Sequence, residues 1–401
     1  MRREPEALRA ALTELCGVSL RRRRVVDAAG IALGARAHAL RDQRDVVNFC
    51  SNDYLGLARH SEVASAMSQA ANALGAGSGA SHLVSGHGPQ HEALERELAE
   101  FTGRESALLF STGYMANLGA VTALAGRGET VVQDKLNHAS LLDAAQLSGA
   151  RLRRYAHNDP VSAAHVVATT DQLAVLATDG VFSMDGDLAP LPELAQLATR
   201  AHGWLVVDDA HGLGVLGATG RGCCEHYRLS AEQVPVLVGT LGKAFGTFGA
   251  FVAGSADLID FLLQRARTAI YTTALPQAVA AASRAALRVA QREPWRREKL
   301  YELTQRFRQR AAARDLPLGP SQTPIQPVLL GEAARALQVS DALLAAGFWV
   351  SAIRPPTVPQ GLARLRVTLS ASHASAEVDA LVDALADALT HSLANAKPSA
   401  S

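Results

Sequence analysis

The chain has 401 residues, of which 48% are hydrophobic and 19% are charged. This composition supports a large buried core and excludes a disordered chain, and the length predicts two domains rather than one. The formal net charge of +1 supplies no basic surface, so we expect neither nucleic acid nor a membrane as a partner.

The cysteine content and the N-terminus predict a cytoplasmic protein. Four cysteines are too few for a disulfide scaffold in a chain of this size, and they lack the spacing of a zinc site. No apolar run reaches the roughly 18 residues of a membrane-spanning helix. The first residues contain glutamates and no apolar segment, unlike a signal or transit peptide.

The N-terminal region is predicted to be peripheral. Residues 4–24 carry leucines on one face and predict a helix that ends in four consecutive arginines. Such a run usually lies on a solvated surface, although one guanidinium of it could bind an anionic substrate group. Residues 48–57 follow a short strand, and their Ser, Asn and Asp content predicts a loop.

From residue 107 onward, apolar strands alternate with helical stretches. This alternation predicts a parallel sheet covered by helices on both faces. Residues 151–155 form a further short candidate strand. The main predicted strands are 107–110, 130–133, 173–178, 204–208, 235–239 and 249–253.

The stretch 204–243 carries the strongest functional signal. One apolar strand ends in Asp208 and is followed by His211, and the next is followed by Thr240 and Lys243 in a glycine-bracketed turn. Taken singly, each residue could be a helix cap or an ordinary surface charge. Together, at the carboxyl edge of a parallel sheet, they predict a ligand site. Pyridoxal phosphate needs a lysine that holds it covalently and an acid that keeps its ring nitrogen protonated.

Other post-strand loops offer weaker signals. Residues 110–117 form a strand, a small-residue turn and a helix start, where free N–H groups can bind phosphate; Tyr114 is otherwise an ordinary core aromatic. His138 is either a helix cap or a ring that stacks on a pyridine. The loop 178–187 is a turn that lacks the terminal Glu of a calcium loop.

The glycine-rich stretch 75–88 matches no phosphate-binding fingerprint, because no Gly-Lys-Ser/Thr follows it and no strand precedes it. His82, His87 and His91 are close in sequence. A carboxylate or cysteine in the usual ligand spacing is missing, so we predict no metal site.

The C-terminal part predicts a small α+β lobe. A charged helical region, broken near Pro294, precedes short strands at 326–330, 348–350 and 364–369, and a loop at 352–359 is stiffened by prolines. The predicted divisions are an N-terminal helix and short strand at 1–47, a large domain at 48–290, a small domain at 291–394 and a disordered tail at 395–401.

The sequence Val-Val-Asp-Asp-Ala-His-Gly at 206–212, followed by Gly-Thr-Leu-Gly-Lys at 239–243, closely resembles the α-oxoamine synthases. These are fold-type-I pyridoxal-phosphate enzymes that join an amino acid to an acyl thioester and release carbon dioxide. The resemblance extends from the arginine run to Arg366. It implies an acyltransferase with a mixed, mainly parallel seven-stranded sheet, a small α+β domain and a homodimer with active sites at its interface.

The resemblance also implies residue roles. Lys243 would hold the cofactor, Asp208 would pair with its ring nitrogen, His211 with Ser183 would contact its ring hydroxyl, and His138 would stack on the ring. The implied phosphate ligands are Gly113, Tyr114 and Thr240, with Thr272 and Thr273 of a second subunit. The implied substrate contacts are Arg21, Asn52, His138, Thr357 and Arg366, with Arg366 on the amino acid carboxylate.

The loop 353–359, Ile-Arg-Pro-Pro-Thr-Val-Pro, resembles the members of this family that use L-alanine, and this resemblance implies L-alanine and a pimeloyl thioester as substrates, with coenzyme A or acyl carrier protein as the carrier. A glycine-using relative, of the 2-amino-3-ketobutyrate CoA ligase or 5-aminolevulinate synthase type, is the alternative. A plain aminotransferase on the same fold is a third hypothesis. His87 stands where the family is expected to have an aromatic residue.

Overall fold

The computed structural model describes residues 5–17, 36–39 and 44–394. Helix α1 (Pro5–Gly17) confirms the first part of the predicted N-terminal helix, and strands β1 (Arg36–Ala39) and β2 (Arg44–Asn48) follow. The remainder of that predicted helix, including Arg21, lies outside the described residues, as does the predicted tail 395–401.

The described residues form two compact units. One unit comprises Asp53–Ser183 and Asp187–Glu298. The other contains the described residues up to Asn52, the short segment Met184–Gly186, and the described residues from Lys299 onward.

The first unit contains a seven-stranded sheet, as predicted. Its strands in spatial order are β3-β9-β8-β7-β6-β4-β5, and all neighbours are parallel except β9, which runs antiparallel to β3 and β8. The strands are β3 (Ser106–Phe110), β4 (Thr130–Asp134), β5 (Arg151–Tyr155), β6 (Leu173–Asp179), β7 (Trp204–Asp208), β8 (Val236–Thr240) and β9 (Ala250–Gly254).

Burial explains why these segments form strands. All five residues of β4 and of β9 are buried, as expected for strands covered on both faces; β9 is apolar, whereas β4 also buries Gln133 and Asp134. The edge strand β5 instead carries three arginines among its five residues and is mostly accessible, which discourages pairing with another chain.

Several helices of this unit begin at a side-chain cap. Thr112 accepts a hydrogen bond from the N–H of Met115, and Asp159 accepts bonds from the N–H groups of Val161 and Ser162. A short π-helix covers His82–Gly86. The helices are α2 (Ser61–Leu74), α3 (Pro89–Thr102), α4 (Gly113–Leu124), α5 (Ala139–Ser148), α6 (Pro160–Ala168), α7 (Leu191–Arg200), α8 (Cys223–His226), α9 (Ala256–Arg265), α10 (Arg267–Ile270) and α11 (Gln277–Arg292).

Helix α12 (Trp295–Ala312) follows Pro294, where the sequence predicted a break. The second unit holds two three-stranded sheets, of order β1-β2-β11 and β10-β13-β12. Its remaining elements are β10 (Ile325–Gly331), α13 (Ala333–Ala345), β11 (Phe348–Trp349), β12 (Ser351–Ile353), β13 (Ala363–Thr368) and α14 (Ser375–Ala394). Across the described ranges, no helix combines the length and apolar character needed to cross a bilayer.

Candidate active site

The carboxyl ends of β4, β6, β7 and β8 lie at one edge of the seven-stranded sheet, and a cavity of about 180 Å³ opens there. Ligands of open α/β sheets bind outside the carboxyl ends of the strands, so this cavity is the candidate active site. Its lining consists of Gly113, Tyr114, His138, Asp179, Val181, Ser183, Asp208, Ala210, His211, Thr240 and Lys243. Eight predicted site residues therefore meet in one cavity.

Asp208 provides a buried negative charge in this lining. Its side chain is only 8% exposed, and its two oxygens accept hydrogen bonds from Asn117 Nδ2 at 2.6 Å and from the N–H of Ala210 at 3.0 Å. Asn117 Nδ2 also donates to Ser140 Oγ at 2.8 Å. Both donors to Asp208 are neutral, so a cationic ring nitrogen in the cavity would meet a carboxylate whose position is already set.

His211 connects Lys243 with a buried tyrosine. Lys243 Nζ lies 2.9 Å from His211 Nε2, and Tyr54 Oη lies 2.6 Å from His211 Nδ1. Tyr54 is fully buried and His211 is 7% exposed. The imidazole is therefore held by both of its nitrogens, with Nε2 directed to the amine.

His138 is oriented by residues that sequence reasoning did not select. The backbone N–H of His138 donates to both carboxylate oxygens of Asp179, at 3.1 and 3.3 Å, and Ser140 Oγ lies 2.7 Å from the ring nitrogen Nδ1. The ring meets that of Tyr114 edge-on, with centroids 6.3 Å apart. Burial lowers the pKa of His138, although the Asp208 carboxylate opposes this shift.

Asp179 and Asp208 are cross-strand neighbours at the ends of β6 and β7. Burial, and then the negative charge of Asp208, raise the pKa of Asp179 well above its ordinary range. Two carboxyl groups this close in a poorly solvated place favour one negative charge between them. The raised pKa of Asp179 favours its neutral form.

The start of α4 forms another wall of the cavity. The first N–H groups of a helix have no acceptor within the helix. The Thr112 side chain accepts a hydrogen bond from the N–H of Met115. Gly113 and Tyr114 line the cavity beside Thr240. Such a helix start suits a phosphate group. The Tyr114 hydroxyl donates to the Asp143 carboxylate.

Asp209 holds the loop that carries His211. It is fully buried and accepts a hydrogen bond from the N–H of Cys223 at 2.7 Å. A Cβ at Gly212 or Gly222 would lie 2.0 or 1.9 Å from an Asp209 oxygen, so glycine at both positions makes room for the carboxylate. Burial raises the pKa of Asp209 to about 7, against the bonds from Cys223.

Together, these residues fit pyridoxal phosphate. The cavity offers an amine, a buried carboxylate with neutral partners, an imidazole on its wall and a helix start. These are the groups that the aldehyde, the ring nitrogen, the ring and the phosphate of this cofactor require.

The other predicted site residues lie elsewhere. Thr272 and Thr273 follow α10 and fall outside the cavity lining among the described residues. Asn52, Thr357 and Arg366 belong to the second unit. There, both terminal nitrogens of Arg366 donate to Asn52 Oδ1 at 3.1 Å, and Thr357 donates its N–H to the carbonyl of Arg354.

Sequence reasoning missed four residues of the site: Tyr54, Asn117, Ser140 and Asp179. Asp179 could have been found, since it directly follows a predicted strand. Tyr54 and Asn117 act through contacts between segments far apart in sequence, which no local pattern reveals, whereas Ser140 contacts His138 two residues away.

The three histidines near α3 form a hydrogen-bonded group. His82 Nδ1 and His87 Nδ1 are 2.8 Å apart, and His87 Nε2 lies 3.2 Å from Glu92. His91 accepts from the N–H of Gly88 and donates to the carbonyl of Leu275. These contacts give five of the six imidazole nitrogens of the group a partner without an ion. The absence of a metal stays a prediction.

Comparison with known proteins shows the broad family to which the chain belongs. Residues 44–385 match the family model described as aminotransferase class I and II, and the chain belongs to this family. A serine palmitoyltransferase variant from S. paucimobilis, solved with a bound PLP–myriocin adduct, superposes with a TM-score of 0.89 at 29% identity, covering 97% of this chain and 98% of that one.

Curated relatives narrow the class. The 8-amino-7-oxononanoate synthase of Methylococcus capsulatus is 62% identical over 83% of this chain and 86% of its own length. A crystal structure of 8-amino-7-oxononanoate synthase from Francisella tularensis has a TM-score of 0.76 at 30% identity, covering 87% of this chain and 99% of that one. Within the larger family, the chain belongs to the 8-amino-7-oxononanoate synthases.

Proposed function

We propose that the protein is a pyridoxal-phosphate-dependent acyltransferase that condenses L-alanine with a pimeloyl thioester. The products are 8-amino-7-oxononanoate, the free carrier thiol and carbon dioxide, in a step of biotin biosynthesis. The observation that carries the proposal is the cavity in which Lys243, Asp208, His211 and His138 meet, in a chain 62% identical over 83% of its length to a curated synthase of that name.

When bound, pyridoxal phosphate supplies an electron sink for the electron pair left as the amino acid loses its α-proton. Lys243 would hold the cofactor covalently, and its amine, when free, would serve as the base that takes the α-proton of the amino acid. Asp208 stabilises the positive charge of the ring nitrogen. Because Asn117 and Ala210 already fix this carboxylate, little reorganisation is needed during the reaction.

His138 and His211 orient the reacting groups. His138, held by Asp179 and Ser140, would stack on one face of the cofactor ring and exclude water from it. His211 would donate from Nε2 to the ring oxygen, and Ser183, on the cavity wall, would assist it.

The phosphate is bound by the N–H groups at the start of α4, at Gly113 and Tyr114, together with Thr240. Thr272 and Thr273 complete this site from a second copy of the chain. Their position outside the cavity lining of their own chain is compatible with a role in the partner's site, and this arrangement requires a homodimer.

The substrate contacts are assigned from the family resemblance, and the chemistry of the residues agrees with it. Arg366, 6% exposed and held by Asn52, offers a guanidinium that can bind the carboxylate of alanine with two hydrogen bonds. Thr357 and Arg21 match substrate-contacting positions in the family resemblance, and we assign them to substrate binding on that ground. A cytoplasmic location remains our prediction.

A thiol-release assay tests the function. The purified protein, loaded with pyridoxal phosphate, is supplied with alanine, glycine or serine and with pimeloyl-, acetyl- or succinyl-CoA or pimeloyl-acyl carrier protein. We expect the highest kcat/KM for alanine with a pimeloyl carrier. Faster release with glycine and a short acyl-CoA would support a glycine-using synthase. Amino transfer to a keto acid without any thioester would support an aminotransferase.

A further inference from the structure

Tyr54 lies in a loop of the first unit, remote in sequence from the residues that line the cavity. Its side chain is fully buried, and its hydroxyl oxygen is 2.6 Å from Nδ1 of His211. On the other side of the same ring, Nε2 is 2.9 Å from Lys243 Nζ. A phenol, an imidazole and the amine of the site therefore form one continuous line of hydrogen bonds.

The position of the protons in this line decides what His211 can do. A neutral imidazole has one N–H, and the atom that carries it is set by the partner of the other nitrogen. A phenol is a good donor and the separation is short, so we assign the Tyr54 O–H as donor to Nδ1. Nδ1 is then an acceptor, and Nε2 carries the proton, which it can donate to Lys243 Nζ only when that amine is neutral.

We propose that Tyr54 is a positioning residue that fixes His211 as a hydrogen-bond donor toward the cavity. The inference rests on the proposed function, in which Nε2 of His211 donates to the cofactor ring oxygen. Without the Tyr54 hydroxyl, the imidazole can rotate or carry its proton on Nδ1, and Nε2 would then face the ring oxygen as an acceptor.

The electrostatic consequence can be measured. Donation by His211 withdraws charge from the ring oxygen, so a proton on the nitrogen of Lys243 leaves more readily. Asp208, Asp179 and His138 also line this cavity, but removal of a neutral hydroxyl leaves their charges in place. In Tyr54→Phe the nitrogen should therefore retain its proton to a higher pH.

The experiment is a pH titration of the visible absorbance of bound pyridoxal phosphate in wild type and Tyr54→Phe. We expect an upward shift of the midpoint by about one pH unit, a tenfold change in the protonation equilibrium. Weaker uptake of the cofactor by the apo form should accompany it. Tyr155→Phe is the matched control, since Tyr155 is also buried, at 1% exposed, but lies outside the cavity lining.

A midpoint in Tyr54→Phe that equals that of wild type would overturn the inference, whereas a wild type that binds no cofactor would overturn the proposed function instead. Should the variant fail to fold, ¹⁵N-histidine NMR of the wild type gives the answer, with the His211 signals assigned from His211→Asn. We expect the proton on Nε2; a proton on Nδ1 would refute the assignment.

Discussion

Asp208→Asn removes the charge proposed to face the cofactor ring nitrogen and nearly preserves the size of the side chain. Two unit charges about 4 Å apart interact by about 4 kcal/mol at an effective dielectric constant of about 20. Asp208 is 8% exposed and is held by two neutral donors, so solvent can replace little of this interaction. Because about 1.4 kcal/mol corresponds to a factor of ten, kcat/KM should fall by about 10³.

The substitution also has a structural cost, because the amide keeps one acceptor for the two donors, Asn117 Nδ2 and the N–H of Ala210. One lost hydrogen bond is worth about 1 kcal/mol. Rotation of the Asn117 amide would recover part of it, since Oδ1 of Asn117 is buried without a hydrogen-bond partner in the described structure. We therefore expect a folded protein.

The assay combines thiol release with alanine and pimeloyl-CoA, cofactor affinity from absorbance, and urea unfolding. Asp260→Asn serves as the control. Asp260 lies on the exposed face of α9 and accepts a hydrogen bond from Gln264 Nε2 at 3.2 Å. A kcat/KM for Asp208→Asn within about threefold of wild type, in a folded protein that binds the cofactor, would show that the reasoning about Asp208 is wrong.

The remaining predictions concern stability and substrate binding. Burial gives Asp209 a pKa of about 7 in the folded protein against 3.8 ordinarily, so the folded form keeps a proton that the unfolded form releases. The free energy of unfolding should therefore fall as pH rises through that interval, by at most about 1.4 kcal/mol per pH unit. Urea unfolding measured at several pH values should show a weaker dependence of this free energy on pH for Asp209→Asn than for wild type, and an equal dependence would contradict the prediction. Arg366→Ala should raise the KM for alanine by about 10- to 100-fold, because the binding free energy of a charge-assisted hydrogen bond is lost. The KM for pimeloyl-CoA should change less. Steady-state kinetics with each substrate varied in turn measures both, and an unchanged alanine KM would exclude the proposed role.

Much of the large sheet was predictable because its strands are short apolar runs bounded by polar or glycine residues. The run at 204–208 matches β7 at both ends, and that at 235–239 is displaced by one residue from β8. The meeting of Asp208, His211 and Lys243 was predictable for the same reason, since parallel strands end at one edge.

Spatial order was not predictable from periodicity. The contact between Asp179 and His138 depends on β6 lying beside β4, and a local pattern does not contain that order. A single strand was predicted at 348–350 and a loop at 352–359, but Phe348–Trp349 form β11 in one sheet and Ser351–Ile353 form β12 in the other, so the loop prediction was wrong at its start. The domain boundaries and the role of each site residue stay predictions.

The most direct test of the account is to find where the cofactor is attached. The chain has only four lysines, at positions 135, 243, 299 and 397, so borohydride reduction of the loaded protein, proteolysis and mass spectrometry can distinguish them. We predict a pyridoxyl-phosphate adduct on Lys243, which Lys243→Ala should abolish and Lys299→Ala should leave intact. An adduct on another lysine, or none on a protein with full synthase activity, would contradict the account.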